Sequence, residues 1–207
     1  MNSINFSQMI KDYDPIMYRG YVSQKIFSLL EEYTNTFSKT MIVRFDVTYP
    51  KNFIAVENNS DMSELMKLLI QQCSRNGLSP AYFWVREQSL RSNNQHYHCM
   101  LLLDGNKTRR YYPHIEAAEE MWGRLLNVDP KGLIHYCDRD PGGNRQANGI
   151  ILRSDDPNYE DKIDTVVRQA MYLAKDHTKG FYNDGFRDFG MTRISSIPQL
   201  RKKFRNN

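Results

Sequence analysis

The stretch AYFWVREQSLRSNNQHYHCMLLLDG, residues 81–105, decides the fold. Two runs in it, Tyr82 to Gln88 and Gln95 to Leu103, are rich in aromatic and aliphatic residues and are separated by a polar segment. That pattern predicts two strands forming an antiparallel pair. The longest unbroken apolar runs, Ala81 to Val85 and Cys99 to Leu103, hold five residues each, far below the roughly 18 needed to span a bilayer. No membrane span is expected.

Working outward, Met41 to Tyr49 is rich in β-branched and aromatic residues and stops at Pro50, as a strand would. Leu133 to Cys137 and Gly149 to Arg153 read as a hairpin across the loop Asp140-Pro141-Gly142-Gly143-Asn144. Apolar positions at helical spacing predict helices from about Tyr21 to Tyr33, from Ser60 or Asp61 until Asn76 and Gly77 end it, from Pro113 to Leu126 and from Tyr159 to Lys175. The order α, β, α, β, β, α, β, β, α predicts an α+β fold of the ferredoxin-like kind, a five-stranded, mainly antiparallel sheet with helices on one face. The expected organisation is a helical N-terminal extension over 1–39, a main domain over 40–194 and a basic tail over 195–207.

The 207 residues, 40% hydrophobic and 25% charged, suit one folded domain and exclude general disorder. They leave no room for a fused motor domain, and no G-x-x-x-x-G-K-[ST] occurs, so ATP-driven unwinding is not expected. The start of the chain lacks the basic patch and apolar stretch of an export signal, which predicts a cytoplasmic protein. Cys73, Cys99 and Cys137, odd in number and widely spaced, argue against a disulfide framework and a Cys-based zinc knuckle.

Net charge is +4, and the segment from Arg187 onward, with Arg193, Arg201, Lys202, Lys203 and Arg205, carries a local excess that accounts for it. A second cluster, Lys107, Arg109 and Arg110, runs into Tyr111 and Tyr112. Bases beside aromatics suit a nucleic-acid strand, with charges on phosphates and rings on bases. A solvated surface is the plainer reading of each cluster.

His96-Tyr97-His98 opens the second strand of the pair, and strand alternation sends both histidines to one face. Two imidazoles on one face can share a metal. Tyr97, Cys99, Leu101 and Leu103 point the other way, toward a core, which leaves the histidines on the face expected to carry no helices. Glu87 lies beside His96 if the strands pair across the loop, and a His-His-Glu set leaves coordination positions open for substrate and water. The competing reading of Glu87 is a surface carboxylate paired with Arg86 or Arg91. Tyr172 and Lys175 stand one turn apart on the last helix. A second Tyr-x-x-Lys, Tyr159 to Lys162, begins the same helix.

In this order, a strand, then an acid with His-x-His, then Tyr172-Leu173-Ala174-Lys175, the chain resembles HUH endonucleases of the rolling-circle replication-initiator type. It is most similar to the initiators of filamentous phages (inoviruses) and their prophage relatives, including proteins with a YagK/YfjJ C-terminal domain. The resemblance covers about Thr40 to Ile194. It implies His96 and His98 as metal ligands with Glu87 as the third, a divalent metal, Mn or Mg, Tyr172 as nucleophile and Lys175 as its helper. It also implies single-stranded DNA from a phage or plasmid-like origin as substrate, a 5′-phosphotyrosine intermediate, and a separate helicase as partner. One difference is Tyr97 between the histidines, where the family carries an aliphatic. Two rival readings stand beside it. A non-catalytic single-strand binder explains the basic clusters alone, and a zinc hydrolase of small substrates explains the metal set alone.

Overall fold

The computed structural model describes residues 20–56, 58–87, 94–140, 142–175 and 185–197. In chain order they form α1 (Gly20–Thr36), β1 (Lys39–Thr48), α2 (Ser60–Arg75), β2 (Ala81–Glu87), β3 (His96–Asp104), α3 (Tyr112–Leu126), β4 (Ile134–His135), β5 (Ile150–Arg153), α4 (Tyr159–Ala174) and β6 (Phe189–Met191). Local signals set the helix ends. Asn76 and Gly77, the latter at φ 71°, stop α2, while Pro113 starts α3 and Asn127, left-handed at φ 55°, ends it.

The sheet is antiparallel throughout, in the order β4–β1–β3–β2–β6, with β5 also paired to β1. It has six strands rather than five. The extra one, β6, is three residues long and lies beyond the last expected helix but within the 40–194 domain, too short for a periodicity to register. Gly190 is needed there, because a Cβ would stand 2.5 Å from the Trp84 indole on the neighbouring strand.

Helices cover both faces of the sheet, where the sequence reading placed them on one. The reason is visible in the strands themselves: Met41-Ile42-Val43, Phe83-Trp84-Val85 and Cys99 to Leu103 are apolar on both parities, which marks a sheet buried on both sides. On one face Met41, Val43, Phe45, Trp84, Cys99 and Leu101 pack with α2 and α3. On the other, Ile42, Phe83, Val85, Met100 and Leu102 pack with Ile26, Phe27 and Leu30 of α1 and Val166, Ala170 and Met171 of α4. The helix at 20–36 thus shares a core with the sheet. The histidine face is therefore not bare, and α4, which carries Tyr172, lies over it.

The expected hairpin between β4 and β5 does not form. Both strands pair instead with β1, end to end along one edge, β5 against Lys39 to Ile42 and β4 against Asp46 and Val47. The Asn148 side chain fills the gap between them. Its Oδ1 accepts from the Arg44 backbone N–H at 2.9 Å and its Nδ2 donates to the Arg44 carbonyl at 2.7 Å and to the Tyr136 carbonyl. A side-chain amide has the donor and acceptor of a peptide group, so it replaces one rung of the ladder.

The next residue, Gly149, is left-handed at φ 61°, and a Cβ on it would reach within 2.1 Å of the Tyr111 ring. Gly149→Ala adds left-handed strain to a steric clash, and should cost about 2–5 kcal/mol. A lower urea midpoint at unchanged slope checks it. Among the described residues, no helix is long and apolar enough to cross a membrane.

Candidate metal centre

Register places the polar groups of the central strands. His98 pairs with Asp46 of β1, and His96 pairs with Glu87 of β2. Residues directly opposite in an antiparallel ladder share a face. Asp46, Glu87, His96 and His98 therefore project together from the face beneath α4, at the end of β3 where the strand begins. Arg44, two residues before Asp46, joins them.

The contacts are specific. His98 is almost fully buried, and its Nδ1 lies 2.8 Å from Asp46 Oδ1 while its Nε2 meets Glu87 Oε2. A neutral imidazole has one N–H to donate. Carboxylates against both nitrogens therefore make this a place for positive charge, either a second ring proton or a cation exchanged into one contact. The His96 ring lies 4.6 Å from that of His98. Ligand atoms of Asp46, His96 and His98 all fall within 4.8 Å of one another. Two imidazoles and a carboxylate at that spacing suit a divalent metal. Burial pushes the Asp46 carboxyl up, but the hydrogen bond to His98 and the charges of His98, Arg44 and His96 outweigh it and hold the group below the ordinary carboxylate range.

Tyr172 reaches this cluster from α4. Its ring stands edge-on to His98, centroids 5.2 Å apart at 90°, and the Arg44 guanidinium carbon sits 3.9 Å from the ring centre. Arg44 is at the same time within 3.3 Å of Asp46 Oδ2. Tyr172 is 42% exposed. Burial of the rest of the side chain raises its pKa, Arg44 opposes that rise, and Asp46 and Glu87 add to it.

Of the residues singled out from sequence, His96, His98, Glu87 and Tyr172 converge here. Lys175 does not continue the helix beside Tyr172. It is the residue after the last turn, extended at φ −59° and ψ 131°, with its N–H on the Tyr172 carbonyl. Arg86, the rival partner for Glu87, points to the opposite face and pairs with Asp188. Lys107, Arg109 and Arg110 are exposed beyond the far end of β3. Six residues of strand from His98 to Asp104 put them roughly 20 Å away. Arg193 follows β6, also at that end. Arg201, Lys202, Lys203 and Arg205 lie outside the described residues.

Sequence reasoning missed Asp46 and Arg44. The available signal was their position: two charged residues on the same parity of an otherwise apolar strand, Met41 to Thr48, where a buried charge requires a partner. A family model for the YagK/YfjJ C-terminal domain matches residues 2–192. No curated protein and no solved structure matches the chain.

Proposed function

The chain belongs to the YagK/YfjJ C-terminal domain family, and from that premise we propose that it is an HUH-type replication initiator that nicks and rejoins single-stranded DNA through Tyr172. The observation that carries this reading is the approach of a half-exposed tyrosine, edge-on and 5.2 Å away, to a buried His98 flanked by Asp46 and Glu87. The strand order β4–β1–β3–β2, with α2 and α3 on one face, supports a ferredoxin-like HUH core, to which α1, α4 and β6 are additions.

His96, His98 and Asp46 would hold the metal, Mn or Mg, with Glu87 beside them. When bound, the ion supplies Lewis-acid polarisation of a phosphate oxygen and neutralises charge as it develops. The chain's own residues do the rest. Tyr172 Oη forms a bond to phosphorus, the bond from phosphorus to the 3′-oxygen breaks, and the products are a 5′-phosphotyrosine and a 3′-hydroxyl. The phenol proton is lost to water, and the leaving oxygen takes one up. A phenol whose pKa lies above 10 is a weak nucleophile at neutral pH. Arg44, stacked on the ring, stabilises the phenolate form and fixes the angle of approach. Asp46 holds both Arg44 and His98, so nucleophile and metal ligands hang on one carboxylate. The phosphotyrosine keeps the energy of the broken phosphodiester, which allows the same site to rejoin strands.

In this reading the substrate is a phage or plasmid-like origin in the cytoplasm, and a separate helicase opens the duplex. Incubation with labelled single-stranded DNA and Mn, followed by a denaturing gel, should give a covalent adduct that chelation prevents. Binding without adduct in the presence of Mn would leave a non-catalytic single-strand binder as the function.

A further inference from the structure

Asp46 has a second set of neighbours, on the side away from His98. His135 of β4 pairs with Asp46 across the ladder, so its ring lies on the same sheet face. Cys137 follows two residues later. Ligand atoms of Asp46, His135 and Cys137 lie within 4.8 Å of one another. Cys137 Sγ stands 3.4 Å from His135 Nδ1. In a tetrahedral zinc site, Zn–S near 2.3 Å and Zn–N near 2.05 Å put sulfur and nitrogen about 3.6 Å apart. The observed pair is within a few tenths of an ångström of that spacing.

Two further facts bear on Cys137. It adopts φ 50°, a left-handed conformation that non-glycine residues rarely take. Its thiol is buried, whereas His135 is exposed and opens the cluster to solvent. Cys73 and Cys99 are also buried, but neither forms part of a His, Cys, Asp or Glu group at metal-ligand spacing among the described residues.

We infer that Asp46, His135 and Cys137 form a second metal site, selective for zinc or a similarly soft divalent ion, beside the harder site at His96 and His98. Thiolate in place of a second imidazole is what separates the two. Sulfur favours zinc, while imidazole and carboxylate accept Mn and Mg when these are abundant. Binding converts the Cys137 thiol to a thiolate and releases its proton to solvent. Because Asp46 belongs to both ligand sets, the two sites are linked through one carboxylate. The inference shares Asp46 with the nicking reading but needs no reaction at Tyr172.

Cobalt(II) is the probe, since a cobalt-bound thiolate shows a charge-transfer band in the near ultraviolet that nitrogen and oxygen ligands do not give. The full-length wild type titrated with cobalt should show the band, and zinc should erase it. His96→Ala should retain it. Cys137→Ser should lose it. His135 is exposed, so His135→Ala carries little folding risk and keeps the test open if Cys137→Ser is unstable. Losing even a supporting partner of a ligand costs about 10–100-fold in affinity, so His135→Ala should raise the cobalt needed for half the band by at least tenfold. A wild type without the band, a band that survives Cys137→Ser, or a midpoint unmoved by His135→Ala overturns the second site. None of these results bears on whether Tyr172 forms an adduct.

Discussion

Tyr172→Phe should bind single-stranded DNA as the wild type does and give no covalent adduct, while Tyr159→Phe should still form one. Removing a phenol oxygen deletes the proposed nucleophile and leaves the ring, so the edge contact to His98 and the Arg44 stack persist and stability should hardly change. The two tyrosines are the first and fourteenth residues of α4. At 1.5 Å per residue they are roughly 20 Å apart along the axis, so only one can reach the histidines. Tyr159 packs against the core at the start of the helix instead. Adduct from Tyr172→Phe near the wild-type level would remove Tyr172 from the mechanism, and its loss in Tyr159→Phe alone would transfer the role. The pH dependence has a definite sign. Burial raises the Tyr172 phenol above its ordinary value, so the reactive phenolate is scarce at neutral pH and its fraction grows as pH rises toward that value. Adduct formation should therefore accelerate from pH 6 to pH 9, by up to about tenfold per unit where deprotonation alone limits it.

The second large effect concerns the metal. A ligand that binds only the native state stabilises it by mass action, about 2.7 kcal/mol at one hundred times its dissociation constant. For a chain of this size that raises the melting temperature by about 5–10 °C. Manganese should produce such a shift in the wild type. His96→Ala, His98→Ala and Asp46→Ala should each lose most of it, each compared with its own metal-free protein. Glu87→Gln should lose less, since the grouping of Asp46 with the two histidines stays intact. A full shift in His98→Ala at excess manganese would mean that the ion binds elsewhere.

What was legible in the sequence follows from the range of the physics involved. His96 and His98 share a face because of alternation, a property of two residues, and the β2–β3 pairing that brings Glu87 alongside is the closing of a short loop. Tyr172 could be placed on a helix because apolar spacing is local, and the order of motifs along the chain, not the spacing, singles it out. The parity of Asp46 on an apolar strand marks it as a charge in need of a partner, but that the partner is His98 is a matter of register between strands some 50 positions apart, and no local pattern carries that. The helical cover on the histidine face is announced by strands apolar on both parities: Met100 and Leu102 lie between Tyr97, Cys99, Leu101 and Leu103 and are buried on the histidine side. The β4–β5 hairpin failed for a related reason. Turn residues at 140–144 signal a reversal, but both arms gained more by pairing with β1 than with each other.

Asn148 gives the molecule a chemical clock. It is followed by Gly149, whose backbone N–H donates to Asn148 Oδ1 at 2.9 Å, and asparagine in front of glycine is the pairing most prone to lose its amide with age. Here that amide nitrogen donates to two carbonyls, those of Arg44 and Tyr136. Conversion to aspartate would set a negative oxygen against both. The half of the rung at the Arg44 carbonyl would open, on the residue that carries the guanidinium stacked on Tyr172. Slow hydrolysis of one side chain at the sheet edge would thus reach Tyr172 through a single backbone residue, Arg44.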